Sequence, residues 1–254
     1  MAIALLTDFG TRDPYVAAMK GVIAARCEAA LFDLTHEIEA FDVFEAAWFL
    51  RAITPYWRDT VFVCVVDPGV GTSRRILCVE RDTNVFLAPD NGLLTFIDGV
   101  ARSVKNETLF LPAGSTTFHG RDRFAPVAAA IANGLALDEL GPRVDDRVRL
   151  DYEPPSYGDD VVRGTIVAID RFGNCVTDIE RARVPFDAFA IGGVDRLEAN
   201  YADAGEEPFL IVGSTGCIEI SMRNASAARR LQLSRRNRVE LCRKAAPREK
   251  SSRP

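Results

Sequence analysis

The run 61–66, VFVCVV, is apolar at every position and rich in β-branched residues, and it stops at Asp67-Pro68-Gly69. Such a run reads as a strand buried on both faces. A carboxylate therefore stands at the mouth of a strand. Gly69 and Gly71 free the backbone to turn tightly, and residues 76–79, ILCV, resume an apolar run, so Asp67 and Arg74 face one another across a short loop. In open α/β sheets ligands sit in the crevice at the carboxyl ends of strands, which places this Asp and Arg for function. The plainer reading of the pair is a turn-capping Asp beside a surface Arg.

The same layout recurs along the first half of the chain. Residues 2–6 form a buried strand ending at Thr7-Asp8-Phe9-Gly10, followed by a helix with Asp13 as N-cap and Pro14 at its first position. Residues 30–34 are a further strand, followed by Thr35-His36-Glu37 and a helix in which Val43, Phe44, Ala47, Leu50 and Arg51 recur at helical spacing. Strand, helix, strand, helix, strand implies α/β with a mostly parallel sheet. Residues 85–88 lead into the turn Pro89-Asp90-Asn91-Gly92, and a segment containing Phe118 and His119 precedes a helix from about Phe124 to Asn133, capped by Gly134. The stretch 151–160, DYEPPSYGDD, lacks periodicity and reads as a linker. Beyond it, short strands at 161–169, 175–179, 209–212 and 216–222 imply a smaller β domain, sandwich or barrel-like. The expected division is thus an α/β domain over 1–150, a linker, a β domain over 161–242 and a disordered basic tail over 243–254.

Charge and cysteine usage exclude several classes. The net charge of -5 argues against a nucleic-acid footprint, because only the C-terminal tail is basic. The six cysteines form no CxxC pair and mostly sit in apolar runs, as buried thiols of a reducing compartment do. No apolar segment approaches membrane-spanning length, and the N-terminal run is too short for a signal peptide. The expectation is a cytoplasmic protein without a membrane or nucleic-acid partner.

Asp67, Arg74 and His119 together form a group able to handle a water molecule: a carboxylate to accept a proton, a guanidinium to steady developing hydroxide, an imidazole to share the proton. Metal binding competes for the same residue types, with His36, His119, Asp8, Asp67, Asp90 and Asp122 as possible ligands. No HxH, HxxxH or HExxH spacing brings two of them onto one element, so no metal is expected. The fragments Asp8-Phe9-Gly10 and His119-Gly120-Arg121-Asp122 look kinase-like but lack a glycine-rich loop and stand in reversed order. There is no P-loop and no G-x-S-x-G elbow. Asp170-Arg171-Phe172-Gly173-Asn174 offers an aromatic face beside amide and carboxylate groups, chemistry suited to a purine and a ribose; it also reads as an ordinary β-turn with a core Phe.

In this order, TDFGTRDPYVAAMKG, DLTHEIEAFDV, VVDPGVGTSRR, APDNG, TFHGRDRFAP, IDRFGN and GSTGCIEISMRNASAA resemble the S-adenosylmethionine hydroxide adenosyltransferase family, hydrolase relatives of the fluorinase and chlorinase. The resemblance implies an N-terminal α/β domain, a smaller C-terminal β domain and a homotrimer with substrate at subunit interfaces. It also implies attack of water on C5′ of S-adenosylmethionine, which is the substrate and no cofactor, to give adenosine and L-methionine. By resemblance Asp67, Arg74 and His119 are the catalytic triad; the choice of Arg74 over Arg75 rests on motif position. Halogenating relatives carry an aromatic residue where Asp67 stands, so a halogenase is the close rival and a non-catalytic sensor of adenosine or S-adenosylmethionine the distant one. The implied binding residues are Asp8 for ribose, Asp13 and Tyr15 near the methionine portion, and Phe41 and Phe118 packing on substrate. From the second domain they are Asp170, Phe172, Asn174, Ser214, Met222 and Asn224. The chain departs from the commoner pattern at Arg223-Asn224-Ala225 and at Arg236-Asn237, where a Gly-Asp turn is expected.

Overall fold

Successive strand residues point to opposite faces of a sheet, and here both faces are covered. Ile3, Leu5, Val61, Val63 and Val65 lie in one apolar layer, and Ala4, Leu6, Phe62, Cys64 and Val66 in another. The computed structural model describes residues 1–112 and 115–244. It divides into two units, Met1–Asp151 and Tyr152–Pro254.

The first unit runs β1 (Ala2–Thr7), α1 (Tyr15–Ala24), β2 (Leu31–Thr35), α2 (Val43–Ile53), β3 (Thr60–Val65), β4 (Ile76–Arg81), β5 (Asn84–Pro89), β6 (Val100–Ser103) and α3 (Ala125–Ala132). Its sheet has the order β2-β1-β3-β5-β4-β6. The first four strands are mutually parallel, while β4 and β6 form an antiparallel edge, so the sheet is mostly parallel as the sequence implied. Met19 and Ile23 of α1 and Val127 and Ile131 of α3 join the first layer; Ala46 and Leu50 of α2 join the second. Phe62 and Phe86, opposite one another on β3 and β5, stack with centroids 4.7 Å apart, a pairing worth about 1 kcal/mol beyond burial. The chain steps from β1 to β2 on one side and then crosses back over β1 to β3. Strand order therefore reverses between β1 and β3, the kind of position at which open α/β sheets take their ligands.

Two local expectations change. Asp13 is not the N-cap: Pro14 occupies that place, its carbonyl accepting from Ala18 N–H at 2.9 Å, and Asp13 is exposed. The second change lies ahead of α3, where Gly120–Phe124 winds as a π-turn. Pro126 has no N–H to offer the Asp122 carbonyl, and that carbonyl instead accepts from Leu111 N–H at 2.9 Å.

The second unit contains β7 (Ser156–Tyr157), β8 (Val161–Ile169), β9 (Cys175–Glu180), β10 (Phe189–Ile191), β11 (Leu197–Glu198), β12 (Phe209–Val212), β13 (Cys217–Ser221), α4 (Ala227–Leu231) and β14 (Arg238–Arg243). Its sheet order is β10-β14-β8-β9-β13-β12-β11, with β7 beside β8 inside the stretch read as a linker. β8 changes partners along its length, pairing β14 through residues 161–165 and β9 through residues 166–169. The sheet thereby curls into a half-barrel around Val162, Ile166, Ile179, Ile218, Ile220 and Leu241. β14 keeps Val239 and Leu241 inside while Arg238 and Glu240 face solvent. Arg243, read as part of a tail, closes that strand, and Lys244 Nζ donates to Asp195 at 2.8 Å; the rest of the tail lies outside the described residues. Among the described residues no helix is long and apolar enough to cross a membrane.

Candidate functional site

Thr7 pairs with Val65 in the register of β1 and β3, so the loops carrying Asp8 and Asp67 leave the sheet side by side at the reversal point. Asp67 opens a tight loop in which its own carbonyl accepts from Val70 N–H at 3.2 Å. Gly71 has φ of 83°, and a Cβ there would come within 3.0 Å of the Thr116 carbonyl, so a side chain would separate this loop from the segment before His119. Arg74 then returns to Asp67. Its Nε donates to Oδ1 at 2.9 Å, its Nη2 donates to Oδ2, and the same Nη2 donates to His119 Nδ1 at 2.9 Å. The Arg74 and Asp67 side chains are only 9% and 5% exposed.

That geometry fixes the imidazole tautomer. Guanidinium can only donate, so His119 Nδ1 must accept and the proton of the neutral ring sits on Nε2. Burial, reinforced by the positive charges of Arg123 and Arg74, holds His119 below the ordinary histidine pKa and keeps it neutral at physiological pH. Nε2 is buried and has no protein partner among the described residues. It is a donor free for an oxygen atom. Arg75, set aside in favour of Arg74 on motif position alone, turns elsewhere: its Nε donates to Asp90 Oδ2 at 2.7 Å, and Nη1 and Nη2 donate to the Asp146 carboxylate and carbonyl at 2.7 and 2.9 Å.

Around this centre, Asp8 Oδ2 accepts from Phe41 N–H at 2.9 Å. Phe41 holds a φ of 70° and is 70% exposed. Tyr15 and Phe118 meet edge to face at 5.2 Å, and Phe9 packs on both, at 5.7 Å from Tyr15 and 6.0 Å from Phe118. Gly120 lies against this cluster, where a Cβ would come within 3.0 Å of Met19 Sδ. Asn91, quoted in a motif but given no role, donates through Nδ2 to the Val66 carbonyl at 2.9 Å and so holds the peptide that precedes Asp67.

The second unit has its own cleft, about 1280 Å³ in volume, lined by Asp170, Phe172, Asn174, Ser214, Met222 and Asn224, all of which the sequence had singled out. Asp170 is committed to its own turn: Oδ1 accepts from the N–H groups of Phe172 and Asn174 at 2.9 and 2.8 Å, and Oδ2 from Asn174 Nδ2 at 2.8 Å. Phe172 is 77% exposed at the rim, not in the core. Asn174 also donates to Tyr201 Oη at 3.1 Å, while its buried Oδ1 has no protein partner among the described residues. Arg236 takes a φ of 69°, the left-handed conformation that the expected glycine would have supplied. Tyr201 and Glu219 are polar lining residues that the sequence reading did not single out. Burial, and then the charge of Asp170, push the Glu219 carboxyl above its ordinary range. A single carboxylate inside the apolar strand CIEIS was the available signal.

Three of the six possible metal ligands are engaged by other side chains. His36 and Asp122 are occupied by Asp33 and Arg121, and Asp90 by Arg75. Among the described residues one acidic group, Glu39, Asp42 and Glu45, gathers its oxygens within 4.8 Å, and it includes none of the six candidates. Asp42 caps α2 there, and Glu45 accepts from Glu39 N–H.

Against known proteins, residues 3–141 match the SAM hydroxide adenosyltransferase N-terminal domain and residues 164–240 match the C-terminal domain of the same family. An (R)-S-adenosyl-L-methionine hydrolase from Thermus thermophilus is 37% identical over 91% of this chain and 95% of its own length. One of the same name from Methanocaldococcus jannaschii is 32% identical over 94% and 95%. The crystal structure of an uncharacterized conserved protein from Thermotoga maritima superposes with a TM-score of 0.88 at 34% identity, covering 95% of this chain and all of that one. With both family domains matched in order and relatives aligned over nearly its whole length, the chain belongs to the SAM hydroxide adenosyltransferase family.

Proposed function

We propose that the chain hydrolyses S-adenosyl-L-methionine to adenosine and L-methionine, water attacking C5′ in a single displacement. One observation carries the mechanism: Arg74 bridges Asp67 and His119, with the Arg74 and Asp67 side chains largely buried. Asp67 spends two acceptor positions on Arg74 and keeps the rest for a water hydrogen. Because His119 Nδ1 already accepts from Arg74, the ring acts through Nε2–H as a donor that orients the attacking oxygen, and Asp67 takes the proton. The O–C5′ bond forms as the C5′–S bond breaks, the electron pair neutralises the sulfonium, and one proton leaves by way of Asp67. Opposite charges cancel as hydroxide character meets the sulfonium, so excluding water favours the step.

Asp8 holds the ribose. Tyr15, Phe41 and Phe118 pack on the substrate, with Asp13 toward the methionine end. In the second unit Phe172 stacks on the adenine, Asn174 offers Oδ1 to its amino group, and Asp170 positions both. Ser214, Met222 and Asn224 complete that wall. The two relatives named as hydrolases of this compound support the reading. In oxygen-18 water the 5′-hydroxyl of the adenosine formed is expected to carry the label. A 5′-halo-5′-deoxyadenosine formed on adding chloride or fluoride, or binding without any product, would replace it with a halogenase or a sensor. The reading extends to a homotrimer with sites at subunit interfaces, acting in the cytoplasm without metal. Six free cysteines suit that compartment, and three chain masses in sedimentation with activity intact in a chelator are the results expected.

A further inference from the structure

Unit 1 holds a second buried histidine that the mechanism does not use. His36, 4% exposed, stands just after β2 between two partners. Its Nε2 lies 2.9 Å from Asp33 Oδ1 and its Nδ1 lies 2.9 Å from Thr7 Oγ1. Asp33 Oδ2 in turn accepts from Lys20 Nζ of α1 at 2.6 Å. Burial pushes the Asp33 carboxyl up, but the hydrogen bonds from Lys20 and His36 outweigh it and keep the group below its ordinary value, as a carboxylate. A carboxylate accepts only, which puts the proton of a neutral His36 on Nε2 and makes Nδ1 the acceptor. Thr7 Oγ1–H therefore donates to His36, and the same oxygen accepts from Phe9 N–H at 3.2 Å. With the His36 ring neutral, every bond in the chain from Lys20 to Phe9 has one direction.

Thr, His and Asp in a row suggest a nucleophile triad, yet Thr7 is fully buried and the exposed end is Asp33, the reverse of what attack on a substrate needs. What the chain does hold is a turn. Thr7 Oγ1 fixes its start, the His36 carbonyl accepts from Gly10 N–H at 2.7 Å to fix its end, and Asp8 lies between. A purely structural core would be served by apolar side chains, whereas a fully satisfied buried polar network sets one geometry. We propose that Thr7, His36 and Asp33 are positioning residues that aim the Asp8 carboxylate at the hydroxyl groups of its ligand. This rests on the reading that Asp8 binds the ribose.

The test is a double-mutant cycle read on adenosine affinity by calorimetry, with KM and kcat for adenosine formation alongside. Thr7→Val keeps the shape and removes the hydroxyl. It is expected to weaken adenosine binding about tenfold and raise KM equally with kcat little changed, and Thr7→Ser is expected to restore both. In an Asp8→Ala background Thr7→Val should change affinity by less than about twofold, because the pair acts as a unit. If Thr7→Val fails to fold, Asp33→Ala at the exposed end carries the same comparison. Effects that multiply across the cycle, or a drop in Tm with affinity unchanged, would overturn the proposal. A chain that binds adenosine but does not form it would remove the proposed reaction and leave this cycle readable.

Discussion

Asp67→Ala is expected to lower kcat for adenosine formation by about a thousandfold, the range that loss of a positioned general base produces, while adenosine affinity changes by less than about threefold. Among the described residues no other carboxylate bonds to the Arg74 guanidinium, whose bonds run to Asp67 and His119. His119 offers no substitute, because its Nδ1 is engaged with Arg74 and its Nε2 carries the proton. The substitution also strips a counterion from an Arg side chain that is 9% exposed. Breaking a buried pair from one side costs roughly 3–5 kcal/mol, so the variant should unfold earlier as well as turn over slowly. Asp67→Asn separates the two effects: it preserves volume and one acceptor, limiting the stability loss, but has no charge with which to take the proton. Either variant retaining more than about a tenth of the native kcat in a folded state would remove Asp67 from the chemistry.

The centre was legible where chemistry and chain distance coincide. Asp67 and Arg74 flank one loop between two apolar runs, so the strand pattern alone set them face to face. His119 is 45 residues from Arg74; nothing local announces that approach, and the resemblance supplied it. Arg74 and Arg75 are adjacent and chemically identical, and what separates them is Asp146, 71 residues from Arg75 and invisible to local reading. The fold was legible for the same reason: the buried runs of β1, β3 and β5 need only period and length. Missed elements are those in which tertiary context overrides local composition. Three charged residues, Arg238, Glu240 and Arg243, concealed β14, whose signal is only Val239 and Leu241, and the π-turn follows from a hydrogen bond between Leu111 and Asp122 that no spacing rule contains. The relay through His36 escaped likewise, because Thr7, Asp33 and His36 meet only once β1 and β2 pair.

Gly173→Ala is expected to disable the cleft of the second unit without touching any group that contacts the reacting atoms. Gly173 has φ of 87°, and a Cβ built there lies 2.1 Å from Ser226 Oγ, 2.4 Å from its Cβ and 2.8 Å from its Cα. The left-handed conformation costs a non-glycine residue about 1–2 kcal/mol, and forcing the overlap apart adds about 1–3 kcal/mol. Ser226 cannot simply rotate away, because backbone as well as side chain is in the path and its Oγ caps α4 by accepting from Arg229 N–H at 3.2 Å. The Gly173 carbonyl also accepts from Ala228 N–H at 3.0 Å, tying turn and helix together. Pushing them apart displaces Phe172 and Asn174 at once. Hydrogen exchange at the amides of β8 and β9 should therefore accelerate by roughly a hundredfold, and adenosine affinity should fall by more than about tenfold. Ser226→Gly in the same chain removes the two nearest atoms but leaves the Cα, so it should restore affinity only in part, with little cost at a cap position that tolerates glycine. Native affinity and native exchange in Gly173→Ala would mean that this turn does not shape the nucleoside site.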